Sequence, residues 1–165
     1  METEALDPYW KLRPPSATPE GELCTCLDRP PLVLLGWFSL NPIMCLKCKG
    51  EVPPERIGFS AELAEQIAFW RNLHEALLTL WLDSSDYESW GRAQLEDPNG
   101  RVNTWGLELV RALSGRRRTY YEWFQDSSAD DFAPLSQCPR CSGGLKECSG
   151  QLVCESCSIV VPNRE

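Results

Sequence analysis

Near its C-terminus the chain reads Cys138-Pro139-Arg140-Cys141-Ser142-Gly143-Gly144 and, with twelve residues between the two pairs, Cys154-Glu155-Ser156-Cys157. No other feature restricts the fold as tightly. Two residues between cysteines let a tight turn aim both sulfurs at one point, and a second such pair completes a tetrahedron with Zn–S distances of about 2.3 Å. Four protein ligands leave no open coordination position. The spacing therefore predicts a structural zinc ribbon held by Cys138, Cys141, Cys154 and Cys157, not a hydrolytic centre. Pro139 and Gly143-Gly144 suit the knuckle turns, and Gly150 with Leu152-Val153 suits a short hairpin carrying the second knuckle. Disulfides or unrelated pairs are the alternative. Cys148 lies inside the ribbon loop, where four ligands are already supplied. It reads as a spare thiol, with ligand exchange or redox sensing as the alternative.

A second cluster lies upstream, where Cys24-Thr25-Cys26 precedes Cys45-Leu46-Lys47-Cys48 by eighteen residues. Its first half is irregular, because Cys-x-Cys is a tighter bite than Cys-x-x-Cys. Between the pairs, the run from Leu32 to Phe38 reads as a buried strand that returns the chain so that both pairs meet. Cys24, Cys26, Cys45 and Cys48 are thus the candidate ligands of a second zinc ion, with reduced structural cysteines as the alternative.

A chain of 165 residues can bury a core of its own, so metal is a staple and not the sole source of order. The opening Met1-Glu2-Thr3-Glu4 lacks the basic and apolar regions of a secretory signal. The longest apolar stretch, around Leu32 to Leu40, is about half the length a transmembrane helix needs. With nine cysteines, metal ligation in a reducing compartment is the simplest use, and cytoplasmic residence without a membrane partner is the expectation. Net charge is −8, with the acidity concentrated in residues 61–131. Proteins that live on phosphate contacts are usually basic, and this one is basic only locally.

Four segments follow from the composition: a Pro-rich extended arm over 1–22, an N-terminal four-cysteine zinc module over 23–59, a helical middle with one strand over 60–131, and the zinc ribbon over 132–165. In the arm, Tyr9-Trp10 can pin the chain to the body or present an aromatic motif to a partner. Ser60 caps a helix in which Leu63, Ile67, Trp70, Leu73, Leu77, Leu80 and Trp81 recur at helical steps, ending near Leu82. His74, beside this stripe and the only histidine, has no partner for a His-based metal site or triad, and reads as a packing or surface residue. A second helix spans Tyr87 to Leu95. A third is capped by Asn103-Thr104 and runs through Leu113 to a stop at Gly115.

Asp83, Asp86 and Glu88 are explained by helix caps and a solvated helix start before acid–base chemistry needs invoking. Arg116-Arg117-Arg118 and the aromatic strand from Thr119 to Phe124 form a composition that can hold a phosphate backbone and stack bases. Arg116, Arg117, Arg118 and Tyr120 are the candidate nucleic-acid contacts, against a reading as a helix end followed by a core strand. Gly-rich phosphate loops, Gly-x-Ser-x-Gly elbows and His-Glu-x-x-His motifs are missing from the sequence, so no enzyme and no small-molecule substrate is expected.

From Cys45 onward the order of features resembles a bacterial family of zinc-ribbon-containing proteins of unknown function, described as candidate nucleic-acid binders. The resemblance rests on Cys45-Leu46-Lys47-Cys48-Lys49-Gly50-Glu51-Val52-Pro53, on Leu80-Trp81-Leu82-Asp83 through Gln94-Leu95-Glu96-Asp97-Pro98, on Val102-Asn103-Thr104-Trp105-Gly106, on Tyr120-Tyr121 and on the terminal cysteines. It spans about 120 residues. The chain departs from the family pattern at Ser158-Ile159-Val160, where the family has a basic residue after the last cysteine, and in its short upstream arm. The resemblance implies a zinc-bound scaffold and a nucleic-acid partner.

The fold expected is α+β: a zinc-stapled N-terminal β module, a central three-helix segment, a strand and a C-terminal zinc ribbon. The function expected is a non-enzymatic recognition module, either for nucleic acid or, given an acidic and Trp-rich composition, as an adaptor or immunity-type inhibitor of a basic protein. A redox-sensitive zinc switch using Cys148 or the irregular Cys24-x-Cys26 half-site is the third reading.

Overall fold

Ser60 accepts a hydrogen bond from the Leu63 backbone N–H at 3.2 Å and so opens the longest helix, α1, Ala61–Leu82. Its buried stripe includes Ala64, Ile67, Trp70, His74, Leu77 and Leu78, the helical repeat expected from the sequence. The structure, a computed structural model, describes residues 7–128 and 130–162. The first six residues of the expected arm therefore lie outside the described residues. Two shorter helices pack on α1: α2, Glu88–Glu96, and α3, Arg101–Ser114. A 3-10 turn at Ser85–Tyr87 precedes α2. Gly91 of α2 lies so close to α1 that a Cβ there would sit 2.9 Å from the Trp81 backbone nitrogen.

The expected cap of α3 is corrected. The helix starts three residues earlier, with Gly100 at the N-cap, and Asn103 sits fully buried in the first turn. Its side chain serves the end of α2 instead: Nδ2 donates to Leu95 O at 2.9 Å and Asp97 O at 2.8 Å. Oδ1 accepts from the Tyr121 hydroxyl at 2.8 Å. Asn suits a cap because its oxygen can accept a backbone N–H. Here a buried α2–α3 corner with unsatisfied carbonyls outcompetes that use.

The strands are short: β1, Leu32–Leu34; β2, Ile43–Cys45; β3, Thr119–Glu122; β4, Lys146–Cys148; β5, Gln151–Cys154; and β6, Ile159–Val161. The strand expected over Leu32 to Phe38 stops at Leu34, and the chain turns through an exposed Trp37-Phe38 loop into β2. The physical cause is visible at Gly36, where an added methyl group would land on the His74 imidazole. Backbone crowded against α1 at that point leaves the line of the sheet. β3 likewise ends at Glu122, before Trp123 and Phe124.

All six strands join one sheet in the order β2-β1-β3-β6-β5-β4. The β1–β2 and β4–β5–β6 pairings are antiparallel, whereas β3 runs parallel to β1 on one side and to β6 on the other. Both cysteine-bearing hairpins are therefore parts of a single sheet joined through β3.

Alternation along the strands sorts side chains to two faces. Leu32, Leu34, Ile43, Tyr121, Ile159 and Val161 belong to the main core with the helices. Val33, Tyr120, Val153 and Val160, with Leu46, make a smaller cluster on the opposite face. Trp70, fully buried, knits the main core together. Its Nε1 donates to Val102 O at 3.0 Å, and its ring meets Tyr121 edge-on at 5.8 Å. Tyr9 pins the arm as expected, through a 2.7 Å bond from its hydroxyl to Phe59 O, while Trp10 stays exposed.

Candidate metal centres

Each Cys-x-x-Cys pair builds its knuckle the same way. The residue after the second cysteine takes a left-handed backbone: Lys49 (φ 60°), Ser142 (φ 57°) and Ser158 (φ 55°). In two of them the geometry is closed by a hydrogen bond back to the first cysteine, Lys49 N to Cys45 O at 2.9 Å and Ser142 N to Cys138 O at 2.9 Å. This reversal lets the two thiols of a Cys-x-x-Cys pair converge. None of the three left-handed residues is glycine, so the knuckles hold a mildly strained conformation.

Strands carry the sulfurs into place. Cys45 ends β2 and Cys154 ends β5, paired across the ladder with Leu32 and Ile159 respectively. In the β4–β5 hairpin, Ser149 (φ 51°) and Gly150 (φ 78°) form a two-residue turn with positive φ at both positions, which matches strand twist. The irregular Cys24-x-Cys26 half-site is supported differently. Cys24 N donates to Glu51 O at 2.8 Å, and Gly50 passes so close that a Cβ there would stand 2.8 Å from that nitrogen.

Two groups of four thiols result, Cys24, Cys26, Cys45 and Cys48, and Cys138, Cys141, Cys154 and Cys157, with the sulfurs of each group all within 4.8 Å of one another. A tetrahedral ion with bonds of about 2.3 Å requires sulfur–sulfur edges of about 3.8 Å. The Cys141 and Cys154 sulfurs are 3.7 Å apart. All nine cysteines are free thiols, so disulfides do not account for the pairing. The donor sets fit a tetrahedral, thiophilic metal ion and leave no protein ligand to spare. Cys148 stands outside both groups, half-buried against the smaller apolar cluster.

Electrostatics within each group are uneven. At Cys48 desolvation works against ionisation, yet the Gly50 N–H and the neighbouring thiols prevail and bring the thiol down to about 7. At Cys141 the Gly143 N–H leads the lowering, helped by Cys157, Cys138 and Cys154, again to about 7. Cys26 is pushed up to about 12, first by desolvation and then by the thiols around it, and burial also raises Cys45 and Cys154. Cys48 and Cys141 are thus the thiols drawn furthest towards ionisation in their groups. The remaining protons leave only as the metal replaces them.

The candidate nucleic-acid residues are largely engaged within the fold. Arg117 Nε donates to Pro30 O at 2.6 Å. The Arg118 guanidinium lies over the Tyr120 ring at 4.6 Å, and its Nη2 donates to Glu155 O at 3.1 Å and Glu155 Oε2 at 2.9 Å. Tyr120 is 2% exposed and donates its hydroxyl to Glu155 Oε1 at 2.7 Å. Of the four, Arg116 alone is exposed.

Glu155, between the candidate ligands Cys154 and Cys157, is the residue sequence reading missed. Its place inside a knuckle, accepting hydrogen bonds from Arg118 and Tyr120, was not signalled by any local pattern. Asp83 ends α1 as its C-cap through its backbone N–H, and Glu88 Oε1 accepts from Ser85 N at 3.2 Å, but no carboxylate caps α2, whose N-cap is Tyr87 with no side-chain cap hydrogen bond. Around these carboxylates stand Leu82, Tyr87 and Trp90, all exposed. Among the described residues, no helix is long and apolar enough to cross a membrane. Compared with protein-family models, with curated proteins and with solved structures, the chain finds no match in any of the three.

Proposed function

We propose that this protein is a non-enzymatic recognition module in which two zinc ions staple one sheet and the helical side presents an acidic, aromatic surface to a basic protein. Zinc is favoured by two all-thiolate, four-coordinate donor sets, because harder ions prefer oxygen ligands. One zinc would be held by Cys24, Cys26, Cys45 and Cys48, the other by Cys138, Cys141, Cys154 and Cys157. Bound there, it supplies structural cross-linking and no Lewis-acid position.

The observation that carries the partner assignment is the exposed cluster at the α1–α2 corner. Leu82, Tyr87 and Trp90 are each about half exposed or more, and the exposed Asp83, Asp86 and Glu88, interspersed with them along the chain, make no ion pair among the described residues. Aromatic anchors in a field of one sign suit a partner of the opposite sign. The net charge of −8 acts in the same direction. Nucleic acid is the second reading, favoured by the resemblance to a ribbon family. Against it stand the internal engagements of Arg117, Arg118 and Tyr120.

The test is a pair of titrations on zinc-loaded protein at low salt. One uses a fluorescent Lys/Arg-rich helical peptide and the other labelled single- and double-stranded DNA and RNA. The basic peptide should bind, and Trp90→Ala and Asp86→Lys should each weaken it at least fivefold. Nucleic-acid binding that is lost on replacing Arg116 would establish the second reading instead.

A further inference from the structure

Strand register brings both cysteine groups and the loop 115–118 to one end of the sheet. β1, β3 and β6 all start there: Leu32 pairs with Cys45 and Thr119, and Ile159 pairs with Tyr121 and Cys154. β2 and β5 run into their knuckles at the same end, and β4 leaves it at Lys146, opposite Val153. From β2 to β4 this end crosses five interstrand steps, roughly 24 Å at about 4.8 Å each.

Charge is segregated to this end. The segments 24–31, 45–50, 115–118, 138–146 and 154–158, which make it up, hold eight of the 16 Lys and Arg and only two of the 24 Asp and Glu. The rest of the chain keeps eight basic and twenty-two acidic side chains. Each loaded centre, four thiolates on a divalent ion, adds about −2, which still leaves the end positive. The two carboxylates are taken, Asp28 by Lys47 at 2.8 Å and Glu155 by Arg118 at 2.9 Å, with Arg117 and Lys146 acting on them at longer range. Lys49 shares a cavity on the smaller apolar face with Glu122. Arg29, Arg116, Arg140 and Lys146 are exposed and make no ion pair among the described residues. Glu147, beside Lys146, alternates to the other face of β4.

The engaged arginines fix the position of the free ones. Arg117 ties the loop 115–118 to Pro30 O of the N-terminal module, and Arg118 ties it to Glu155 of the ribbon. Arg116 is thereby held between the two cysteine groups.

We propose that this end of the sheet binds the phosphate backbone of nucleic acid, with Arg29, Arg116, Arg140 and Lys146 as the phosphate contacts. A protein partner would need apolar anchors at the centre of the interface. Among the described residues, the only large apolar side chain exposed in these segments is Leu27. Phosphates need no such anchor and are met well by the guanidinium fork. Tyr120 is buried, so the end supplies no ring for base stacking and recognition is indifferent to base sequence. The acidic remainder of the chain is screened beyond a Debye length of about 8 Å and turns this end towards a polyanion. The assignment rests on the second, nucleic-acid reading and uses no residue of the Leu82, Tyr87 and Trp90 cluster, so both surfaces can be occupied together.

The experiment is fluorescence anisotropy of zinc-loaded protein with short labelled DNA duplexes of two unrelated sequences. Both should bind equally at low salt, and between about 50 and 200 mM salt the affinity should fall roughly a hundredfold, as about four released counterions require. Arg29→Gln, Arg116→Gln and Arg140→Gln should each weaken binding at least threefold and lower the salt slope by about one, with zinc content unchanged. The triple variant Arg29→Glu, Arg116→Glu, Arg140→Glu should abolish binding. Arg101→Glu, exposed at the far end of α3, should leave it within twofold. Binding that survives the triple variant overturns this surface alone and leaves nucleic acid to another site. No binding at low salt overturns both the surface and the nucleic-acid reading. Poly-glutamate displacing the probe as well as unlabelled duplex does would make the end a site for acidic polypeptides, and zinc loss in the single variants would make the arginines servants of the metal centres; either result overturns the proposal. Retained binding of the basic helical peptide by the triple variant would support the separation of the two surfaces.

Discussion

Tyr120 of the central strand donates its hydroxyl to the Glu155 carboxylate at 2.7 Å, so β3 is tied directly to the turn between two cysteines of the C-terminal four-thiol group. The same carboxylate receives Arg118, whose guanidinium covers the Tyr120 ring. Tyr120→Phe keeps the ring and deletes one charge-assisted bond, an expected loss of about 1–2 kcal/mol. The thermal unfolding midpoint should fall by about 2–6 °C with both metals retained. An unchanged midpoint would mean that the contact adds nothing to stability.

Removing one ligand tests the metal centres separately. Wild-type protein purified without chelator should carry two zinc ions per chain by elemental analysis, a count that follows from the two four-thiol groups. Cys154→Ser and Cys45→Ser should each retain one. Structural zinc contributes on the order of 10 kcal/mol of apparent binding energy in small models. Because both sites belong to one sheet, either variant should destabilise the whole body and not just its own hairpin. Unfolding confined to residues 138–161 in Cys154→Ser, read by hydrogen exchange, would contradict that coupling.

His74 gives the fold a pH dependence. It is 3% exposed, with no hydrogen-bond partner for Nδ1 among the described residues, and desolvation brings its pKa down to about 4 from the ordinary value. A histidine buried neutral takes up its proton more readily in the unfolded chain. Its contribution is therefore fully present above about pH 6.5 and is lost progressively as pH falls towards 4. Between pH 7 and pH 5 the loss is about 2 kcal/mol. Denaturant unfolding at the two pH values, with zinc content monitored, should show this difference in wild type and little of it in His74→Leu.

Gly106 on α3 faces the Tyr121 ring, where an added methyl group would land on the aromatic carbons and stand 2.9 Å from Trp70 Nε1. Tyr121 and Trp70 are both fully buried, so neither can swing aside. Gly106→Ala would gain helix propensity of about 1 kcal/mol on an open helix face. Here overpacking of about 1–3 kcal/mol should outweigh it. A variant more stable than wild type by chemical denaturation would show that α3 can lift from β3 freely.

Both cysteine quartets were legible because metal geometry is written in local spacing, even where the Cys24-x-Cys26 half was irregular. α1 was legible for the same kind of reason, since one helix face repeats within a few residues. What spacing could not show was how segments far apart meet. The early end of β1 depends on Gly36 lying against His74, and the burial of Asn103 depends on the α2–α3 corner. The engagement of Arg118 and Tyr120 depends on Glu155, thirty-five residues from Tyr120 in the chain.

The position of β3 also bears on how fast such a chain reaches its native state. β3 pairs in parallel with Leu32–Leu34 on one side and with Ile159–Val160 on the other, and neither neighbour is joined to it by a tight turn. The middle of the sheet can therefore close only after two long loops have been paid for in entropy. Each cysteine-bearing hairpin is local and can form early, but the strand between them must wait. Refolding should accordingly be slow relative to helical proteins of this size, and limited by docking two preformed ends onto one strand.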